Sequence, residues 1–265
     1  MLYTSSQHPS EVQKLVAEVL GIAFHQVTVD MRRMGGGFGG KETQAAQWAC
    51  LASLAAWHCN KPVKIRLPRS IDMAVTGKRH PFYNRYQLGL SAEGIIESAK
   101  LEVNGLCGHS PDLSDAIVDR AMFHSDNAYS LGEAEVVGNR LKTDTVSHTA
   151  FRGFGGPQGM MLIEQAMQDI AIATGQDALD VRYKNLYRDG HATTHYGMPV
   201  EQHQDQLNLI KQLEVMAQLA PITTLGTVLT TQPATTRGKQ VKVPCKVKNL
   251  KAIQAITLVF TFNPI

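Results

Sequence analysis

Residues 34–42 read Met-Gly-Gly-Gly-Phe-Gly-Gly-Lys-Glu, a stretch in which five glycines surround one phenylalanine. The alternation of apolar and polar residues from Val27 to Met31 predicts a half-buried strand before this loop, and the Ala- and Leu-rich run from Thr43 to Trp57 predicts a helix after it. Glycine lets the backbone adopt positive φ and approach a ligand closely, and free N–H groups at a helix N-terminus favour an anion. The order strand, glycine loop, helix therefore predicts a site for a phosphate-bearing cofactor.

Two nucleotide-binding patterns match this loop in part. Its glycines spell G-x-G-x-x-G, but Ala55 and Ala56 lie where a dinucleotide-binding fold carries an acidic residue. Residues 35–41 also spell G-x-x-x-x-G-K, but Glu42 follows where a P-loop has the Ser or Thr that holds magnesium. A tight turn that packs a helix against a strand, without any ligand, stays open as an alternative at this point.

The composition is that of a globular chain. Its 265 residues, 43% of them hydrophobic, are enough to bury a sizeable core in one or two lobes. The net charge of +3 is mild, and no basic block is interleaved with aromatic residues, which argues against nucleic acid as a partner. The longest apolar stretch, 45–57, is too short to span a bilayer, and no signal-like start precedes it. These features predict a cytoplasmic protein with no membrane partner.

Two further side-chain patterns carry structural expectations. The four cysteines are scattered without a C-x-x-C pair, which argues against a zinc site or a cysteine-ligated cluster and predicts reduced, mostly buried thiols. A basic cluster predicts a solvated face or a subunit contact; its members are Arg66, Arg69, Lys78, Arg79 and His80.

Hydrophobic periodicity predicts a mixed α and β architecture. Ser10 and Gln13 form a capping box that predicts a first helix with apolar residues up to Leu20. After the helix that follows the glycine loop, residues 62–67 are predicted to form a strand that completes a strand–helix–strand unit. Two strands joined by a hairpin turn, a short helix, a strand and two helices are predicted next, at 83–90, 95–103, 114–124, 133–145, 158–173 and 177–187.

A second loop, residues 150–158, reads Ala-Phe-Arg-Gly-Phe-Gly-Gly-Pro-Gln and repeats the G-F-G-G core before an apolar helix, with Pro157 suited to the first turn. Together the two motifs resemble the molybdenum-binding subunit of the xanthine dehydrogenase and aldehyde oxidase family. The resemblance covers roughly residues 1–203 and implies that they form part of a molybdopterin-binding domain. It implies an α+β fold of mixed sheets with packed helices.

The resemblance assigns four residues to the cofactor side of a site. Gln7, which by itself reads as a solvated loop residue, matches a family glutamine that approaches the molybdenum. Phe38 and Gly39 would place backbone beside the molybdopterin, and Arg152 would donate to it from the second loop. Gln7, Phe38 and Arg152 would thus contact the molybdenum through molybdopterin.

Three residues are assigned to the substrate side, two of them, Glu42 and Arg120, with catalytic roles. Taken alone, Arg120 reads as a surface ion-pair partner and Glu42 as a carboxylate stabilised at a helix N-terminus. However, D-R-A-M-F-H-S-D-N at residues 119–127 resembles the family's E-R-A-L-F-H-x-D-N, in which the arginine enters the purine pocket. There the guanidinium would steady negative charge on the ring, Phe154 would stack on the ring, and Glu42 would hydrogen-bond it.

Such a subunit would hydroxylate purines, from hypoxanthine to xanthine to urate, with oxygen from water. Electrons would leave through 2Fe-2S clusters to FAD and NAD, for which this chain has no motif. The resemblance therefore implies an iron–sulfur/FAD subunit or domain as partner, in a hetero-oligomer. Two other functions stay open: a nucleotide-binding module that uses the glycine loop for phosphate, and a non-catalytic remnant that packs against a partner.

Residues 204–265 have a different character. Residues 222–236 are rich in threonine, 239–251 alternate lysine and valine, and the resemblance stops before them. Neither the family's further pterin-binding loops nor its catalytic glutamate is recognisable here. We therefore expect an atypical C-terminal tail from a truncated or frame-shifted product, and a chain that is inactive on its own.

Overall fold

The structure, a computed structural model, describes residues 1–219 and 255–258. Residues 1–59 form an N-terminal unit. Strand β1 (Leu2–Tyr3) pairs in parallel with β2 (Val29–Asp30), and helix α1 (Pro9–Leu20) packs against α2 (Gln44–Cys59). The core between them is small and made of short side chains, namely Val12, Val16, Ala17, Val27, Ala46 and Ala49.

The start of α1 differs from the capping box predicted from sequence. The helix begins at Pro9 with His8 as the N-cap residue, so Ser10 lies inside the first turn. The prediction was wrong because Pro9, whose fixed φ suits a first helical position, sets an earlier start. Gln13 instead donates from Nε2 to the carbonyl oxygen of Val27 at 2.6 Å, which ties α1 to the chain that precedes β2.

Residues 76–187 form a second unit, the sheet unit, joined to the first by α3 (Arg69–Val75). Strands β3 (Arg85–Leu90) and β4 (Ile96–Gly108) make the antiparallel hairpin that the sequence predicts. Strand β5 (Glu133–Lys142) pairs with β4 in parallel, and β6 (Ala255–Leu258) pairs with β3, which gives the order β5-β4-β3-β6. Helix α4 (Ser114–Phe123) lies in the β4–β5 crossover, as a parallel connection requires.

Helices α4 and α5 (Gly156–Thr174) cover the sheet, and α6 (Ala178–Asn185) packs against α5. Helix α7 (His203–Leu219) follows. The core of the sheet unit is large, and its fully buried members include Leu101, Val103, Ala121, Ile163, Ala166, Met167 and Val181. This mixture of sheets and packed helices confirms the predicted α+β class.

Residues 62–67 do not form the predicted strand. They have no regular secondary structure and pair with no described strand, and Val63 and Ile65 are exposed. The alternation of apolar residues was read correctly, but a strand also needs a neighbouring strand to satisfy its backbone groups. The strand–helix–strand prediction is therefore wrong, and the chain leads through Pro68 into α3.

The basic cluster is only partly a solvated face. Arg66 and Arg69 are exposed, but His80 is 2% exposed and Arg79 is half-buried. The three described cysteines are free, yet Cys107 alone is buried, Cys50 is half-buried and Cys59 is exposed. The expectation of mostly buried thiols is therefore wrong for these residues.

No helix in the described part of the chain is long and apolar enough to cross a bilayer. Most of the atypical C-terminal tail, including the lysine–valine alternation at 239–251, lies outside the described residues.

Candidate cofactor and substrate site

The first glycine loop, residues 34–42, is held at both ends by the N-terminal segment. The carbonyl oxygen of Met34 accepts hydrogen bonds from Ser5 Oγ (2.8 Å) and Lys41 Nζ (2.7 Å). Lys41 Nζ also donates to Ser5 Oγ at 3.0 Å. Lys41, which occupies the position of a P-loop lysine in the sequence pattern, therefore bonds to the first residue of its own loop.

Gln7 braces the middle of the same loop. Its Oε1 accepts hydrogen bonds from the backbone N–H of Gly39 (2.8 Å) and of Lys41 (3.2 Å). A Cβ at Gly37 would lie 2.5 Å from the Gln7 side chain, so only glycine lets the two approach so closely. The family resemblance predicts Gln7 at the cofactor, and in the structure Gln7 contacts the first glycine loop.

The two G-F-G-G loops adopt the same turn. Phe38 and Gly39 have φ of 52° and 89°, and Phe154 and Gly155 have φ of 48° and 92°. In each loop the last glycine donates to the carbonyl oxygen of the first, at 2.8 Å in residues 37–40 and 2.9 Å in residues 153–156. Positive φ at both central positions is the pattern of a type I′ turn, and an aromatic residue there is strained. Backbone strain of this kind clusters at functional sites.

The loops lie against each other. A Cβ at Gly39 would lie 3.1 Å from the carbonyl carbon of Ala150 and from the backbone nitrogen of Phe151. Beside this contact, the hydroxyl groups of Thr43 and Thr149 are 3.1 Å apart. Two motifs more than 110 residues apart in sequence are therefore brought into one surface.

Arg120 projects from the last turn of α4 towards the second loop. Its Nε donates to His124 Nε2 at 3.4 Å and lies 3.9 Å from the position that a Cβ would take at Gly156. Its side chain is exposed, and the surface ion pair suggested by the sequence does not form with any described residue. Instead Asp119, its neighbour in sequence, pairs with Arg140.

The remaining site residues differ in exposure. Phe38 is 65% exposed, Arg152 is exposed, and Phe154 and Glu42 are half-buried. The backbone N–H of Glu42 donates to the carbonyl oxygen of Gly39 at 3.2 Å, but no hydrogen bond or ion pair joins its carboxylate to Arg120 within the described residues. The structure thus gathers Gln7, Phe38, Gly39 and Arg152 at the joined loops and places Arg120 beside the second of them.

Behind the second loop lies a buried polar cluster that the sequence analysis missed. His80 Nε2 is 2.7 Å from Ser114 Oγ, and the ring of His148 lies 5.8 Å from that of His80. Burial lowers the pKa of His80 to about 4 and also lowers the pKa of His148, so both rings are neutral near pH 7. The sequence signal was the K-R-H run at 78–80, but its inward orientation depends on tertiary packing.

These residues fit a bulky anionic cofactor. Glycine-rich turns bring backbone close to a ligand, and the 19-residue helix α5 begins at the second loop, where its N-terminus favours negative charge. Two buried polar atoms beside this loop, the donor Arg79 Nη1 and the acceptor Gln158 Oε1, have no hydrogen-bond partner among the described residues. By contrast, residues 1–219 and 255–258 contain no group of three or more side chains suited to hold a bare metal ion.

An α+β unit with two matched glycine turns at one surface defines a cofactor-binding domain. The chain belongs to the molybdopterin cofactor-binding domain family, whose family model matches residues 1–186. Over 200 residues it is 46% identical to a xanthine dehydrogenase of Drosophila subobscura, and over 192 residues 42% identical to one of Dictyostelium discoideum. These matches cover 76% and 72% of this chain but 15% and 14% of the relatives. The chain thus spans about one-seventh of their length.

Solved structures share the fold. The aldehyde oxidoreductase of Desulfovibrio gigas superposes with a TM-score of 0.71 at 26% identity, over 82% of this chain and 24% of that one. The CO dehydrogenase of Oligotropha carboxidovorans gives a TM-score of 0.67 at 19% identity, over 82% and 28%, which supports the fold alone. Both comparisons confirm the predicted resemblance in architecture.

Proposed function

We propose that this chain is part of the molybdenum subunit of a purine hydroxylase, which converts hypoxanthine to xanthine and xanthine to urate. The observation that carries the proposal is the position of Arg120 beside the second glycine turn, 3.9 Å from the Cβ position of Gly156. It puts a guanidinium next to the loop that presents Phe154. Identities of 41–46% to xanthine dehydrogenases over 200 residues support the same substrate class.

On the cofactor side, Gln7, Phe38, Gly39 and Arg152 would hold molybdenum–molybdopterin. The Gln7 amide oxygen is used by the loop backbone, which leaves its Nε2 to donate to the cofactor. Phe38 and Gly39 would offer backbone groups to the cofactor, and a side chain at position 39 would crowd the second loop. Arg152 would offer an exposed positive charge. When bound, the cofactor supplies the oxidising centre through which oxygen from water enters the purine.

On the substrate side, Phe154 would stack on the purine ring, and an offset stack contributes about 1 kcal/mol, chiefly to orientation. Arg120 would stabilise the negative charge that develops on the ring, which is a catalytic effect because that charge is greatest in the transition state. Glu42, whose carboxylate has no ion-pair partner in the described chain, would hydrogen-bond a ring N–H. A polar ring needs such partners because a buried group left unpaired costs about 1 to 3 kcal/mol.

The remaining chemistry would lie outside this segment. We propose that 2Fe-2S clusters and FAD reside on other segments or on a partner chain of a cytoplasmic hetero-oligomer, and that residues 1–203 form the partial molybdopterin-binding domain. Residues 204–265 would form an atypical C-terminal tail, of which the described strand β6 pairs with β3. The family match over residues 1–186 supports a molybdopterin-binding domain in this part of the chain.

The test is a chimera in which residues 1–200 replace the matched segment of the Drosophila subobscura xanthine dehydrogenase. In this chimera Arg120→Met should lower kcat/KM for xanthine about 100-fold and that for an aromatic aldehyde less than about threefold, since only the purine develops ring charge at that point. Arg85→Met serves as the matched control, because Arg85 is the first residue of β3, where it lies over the Tyr83 ring and pairs with Glu102 of β4.

Molybdenum per polypeptide should be the same in the chimera and its Arg120→Met variant. Equal loss of both activities would contradict the pocket role of Arg120. A chimera that holds no molybdenum, or that holds it and oxidises no purine, would contradict the proposed function and favour a non-catalytic remnant.

A further inference from the structure

Arg79 reaches from the segment before β3 into the second glycine loop. Its Nη2 donates to the carbonyl oxygen of Arg152 at 2.6 Å, and its Cζ lies 5.0 Å from the centre of the Phe151 ring. Its Nη1 is buried and lies 4.0 Å from the position that a Cβ would take at Gly153. One guanidinium therefore contacts Phe151 and Arg152 and lies beside Gly153, the next residue of the loop.

The residues on either side of Arg79 fasten both ends of the same loop. The backbone N–H of Thr149 donates to the carbonyl oxygen of Lys78 at 3.0 Å, and Gln158 Nε2 donates to that of His80 at 3.4 Å. The side chain of His80 also contacts Ser114 at the start of α4, the helix that carries Arg120. Residues 78–80 thus connect the second loop with the helix beside it.

The loop needs such support because its backbone is strained. Gly153, Phe154 and Gly155 have φ of 93°, 48° and 92°, so three consecutive residues lie in the left-handed region. For the phenylalanine this conformation costs free energy and persists only where surrounding contacts fix it. The carbonyl group of Arg152 belongs to the peptide that enters this run, so the hydrogen bond from Arg79 fixes the orientation of that peptide.

Arg79 does not serve as an ion-pair residue. No carboxylate lies within salt-bridge distance of it in residues 1–219 and 255–258, although burying a charge without a counter-ion is unfavourable. A planar guanidinium can donate to a carbonyl group and stack on an aromatic ring at the same time, which a lysine cannot do. Its planar geometry accounts for both of these contacts.

We propose that Arg79 is a positioning residue that holds the second glycine loop in its strained turn and so sets the placement of Arg152 and Phe154. What those two residues contact rests on the proposed function. The positioning itself is a property of this chain and can be measured without any ligand.

The first measurement is amide hydrogen exchange of the 265-residue chain, with Arg79→Met, Arg79→Lys and the control Arg85→Met. Arg79→Met should accelerate exchange about tenfold in peptides that contain the amides of Phe154 and Gly156, because loss of one support lets the turn open more often. Peptides from β4 should not change. Arg79→Lys should give a smaller increase, since its ammonium keeps one donor, and Arg85→Met none.

Unchanged exchange in residues 150–158 would overturn the proposal, and so would an equal increase in β4, which indicates general destabilisation. The second measurement uses the chimera described above. There Arg79→Met should lower kcat for xanthine about tenfold with molybdenum content within twofold of the parent, and Arg79→Lys should recover part of the loss.

Unchanged kcat and KM despite faster loop exchange would also overturn the proposal, because the support from Arg79 would then not affect the placement of Arg152 and Phe154. If the parent chimera fails to oxidise purines, the proposed function fails. The exchange experiment then decides the positioning role alone.

Discussion

The N-terminal unit and the sheet unit each carry one G-F-G-G loop, yet the hydrophobic cores behind the two loops differ in size. The first is backed by a small core of valine and alanine side chains and by α2, on which Leu51 and Trp57 remain exposed. The second is backed by a large core around Leu101 and Met167. Both loops nevertheless form the same turn. The turn therefore depends on glycine at its second central position, Gly39 or Gly155, and on local braces, while stability depends on the core behind it.

The two units also differ in buried polar contacts. In the sheet unit, three tyrosine hydroxyls donate to buried or half-buried carboxylates, with the pairs Tyr86–Asp169, Tyr129–Glu164 and Tyr187–Asp126. Burial raises the pKa of all three phenols above the usual range, so they stay neutral donors. The described part of the N-terminal unit contains no such pair. Networks of this kind add rigidity to a core.

The tryptophans of the chain allow the stability of the N-terminal unit to be measured separately from that of the sheet unit. Both of its tryptophans, Trp48 and Trp57, lie on α2. Tryptophan fluorescence therefore reports the N-terminal unit alone, whereas far-UV circular dichroism reports both units.

The largest effect is expected in the core of the sheet unit. Leu101→Ala should lower the free energy of unfolding by about 3 to 4 kcal/mol, because Leu101 is fully buried in β4 and truncation of its side chain leaves a cavity. Val16→Ala, the matched change in the N-terminal unit, should cost about 1 to 2 kcal/mol. Urea unfolding should show the circular dichroism midpoint falling in Leu101→Ala while the fluorescence midpoint moves less. Identical shifts by both probes would show that the units unfold as one.

The next effect is the dependence of the free energy of unfolding on pH. The folded-state pKa of His80 is about 4, below its usual 6.5, so the unfolded chain takes up the proton first as the pH falls. The contribution of neutral His80 to the free energy of unfolding is full above pH 6.5 and is lost as the pH falls to about 4. The loss is about 3 kcal/mol, because each unit of difference between the two pKa values corresponds to about 1.4 kcal/mol. His148, whose pKa burial also lowers, acts in the same direction.

His80→Gln should flatten this dependence of the free energy of unfolding, and His58→Gln on the exposed end of α2 should not. Because both buried histidines belong to the sheet unit, the tryptophan signal should respond less than circular dichroism. A pH profile that is equally steep in His80→Gln would show that other groups control acid unfolding.

The smallest effect concerns the contact between the loops. Gly39→Ala should cost about 2 kcal/mol, since φ is 89° and the new Cβ would lie 3.1 Å from Ala150 and Phe151. Gly21→Ala makes a matched control, because its φ is 65° but no atom lies within 4 Å of the new Cβ. It should cost about 1 kcal/mol. Equal costs, measured by fluorescence in urea, would mean that the loops do not support each other.

Sequence reasoning located the elements with strong local signals. The β3–β4 hairpin, α4 and α5 follow from periodicity and turn residues, and the α+β class follows from their order. It failed at residues 62–67, because an alternating pattern records which side chains are apolar and not whether a partner strand is near. It failed at Ser10 because a proline one residue earlier fixed the helix start.

The candidate site was only partly accessible to the same reasoning. The two loops were found because G-F-G-G is rare and occurs twice in one chain. The brace formed by Arg79 was not found, since a basic run before a strand reads as surface until the packing of β3 against α5 is known. The roles of Glu42 and Phe154 stay predictions, because they depend on a bound ring and not on contacts within the chain.

The aromatic residue at the centre of each turn has a consequence for directed evolution. Phe38 and Phe154 occupy a backbone region that glycine or asparagine enters at lower cost. A library selected only for soluble expression would therefore enrich Gly or Asn at positions 38 and 154. A library selected for function under the proposed assignment would retain both aromatic rings. The two selection regimes would thus diverge at these positions first, as a trade-off between stability and activity.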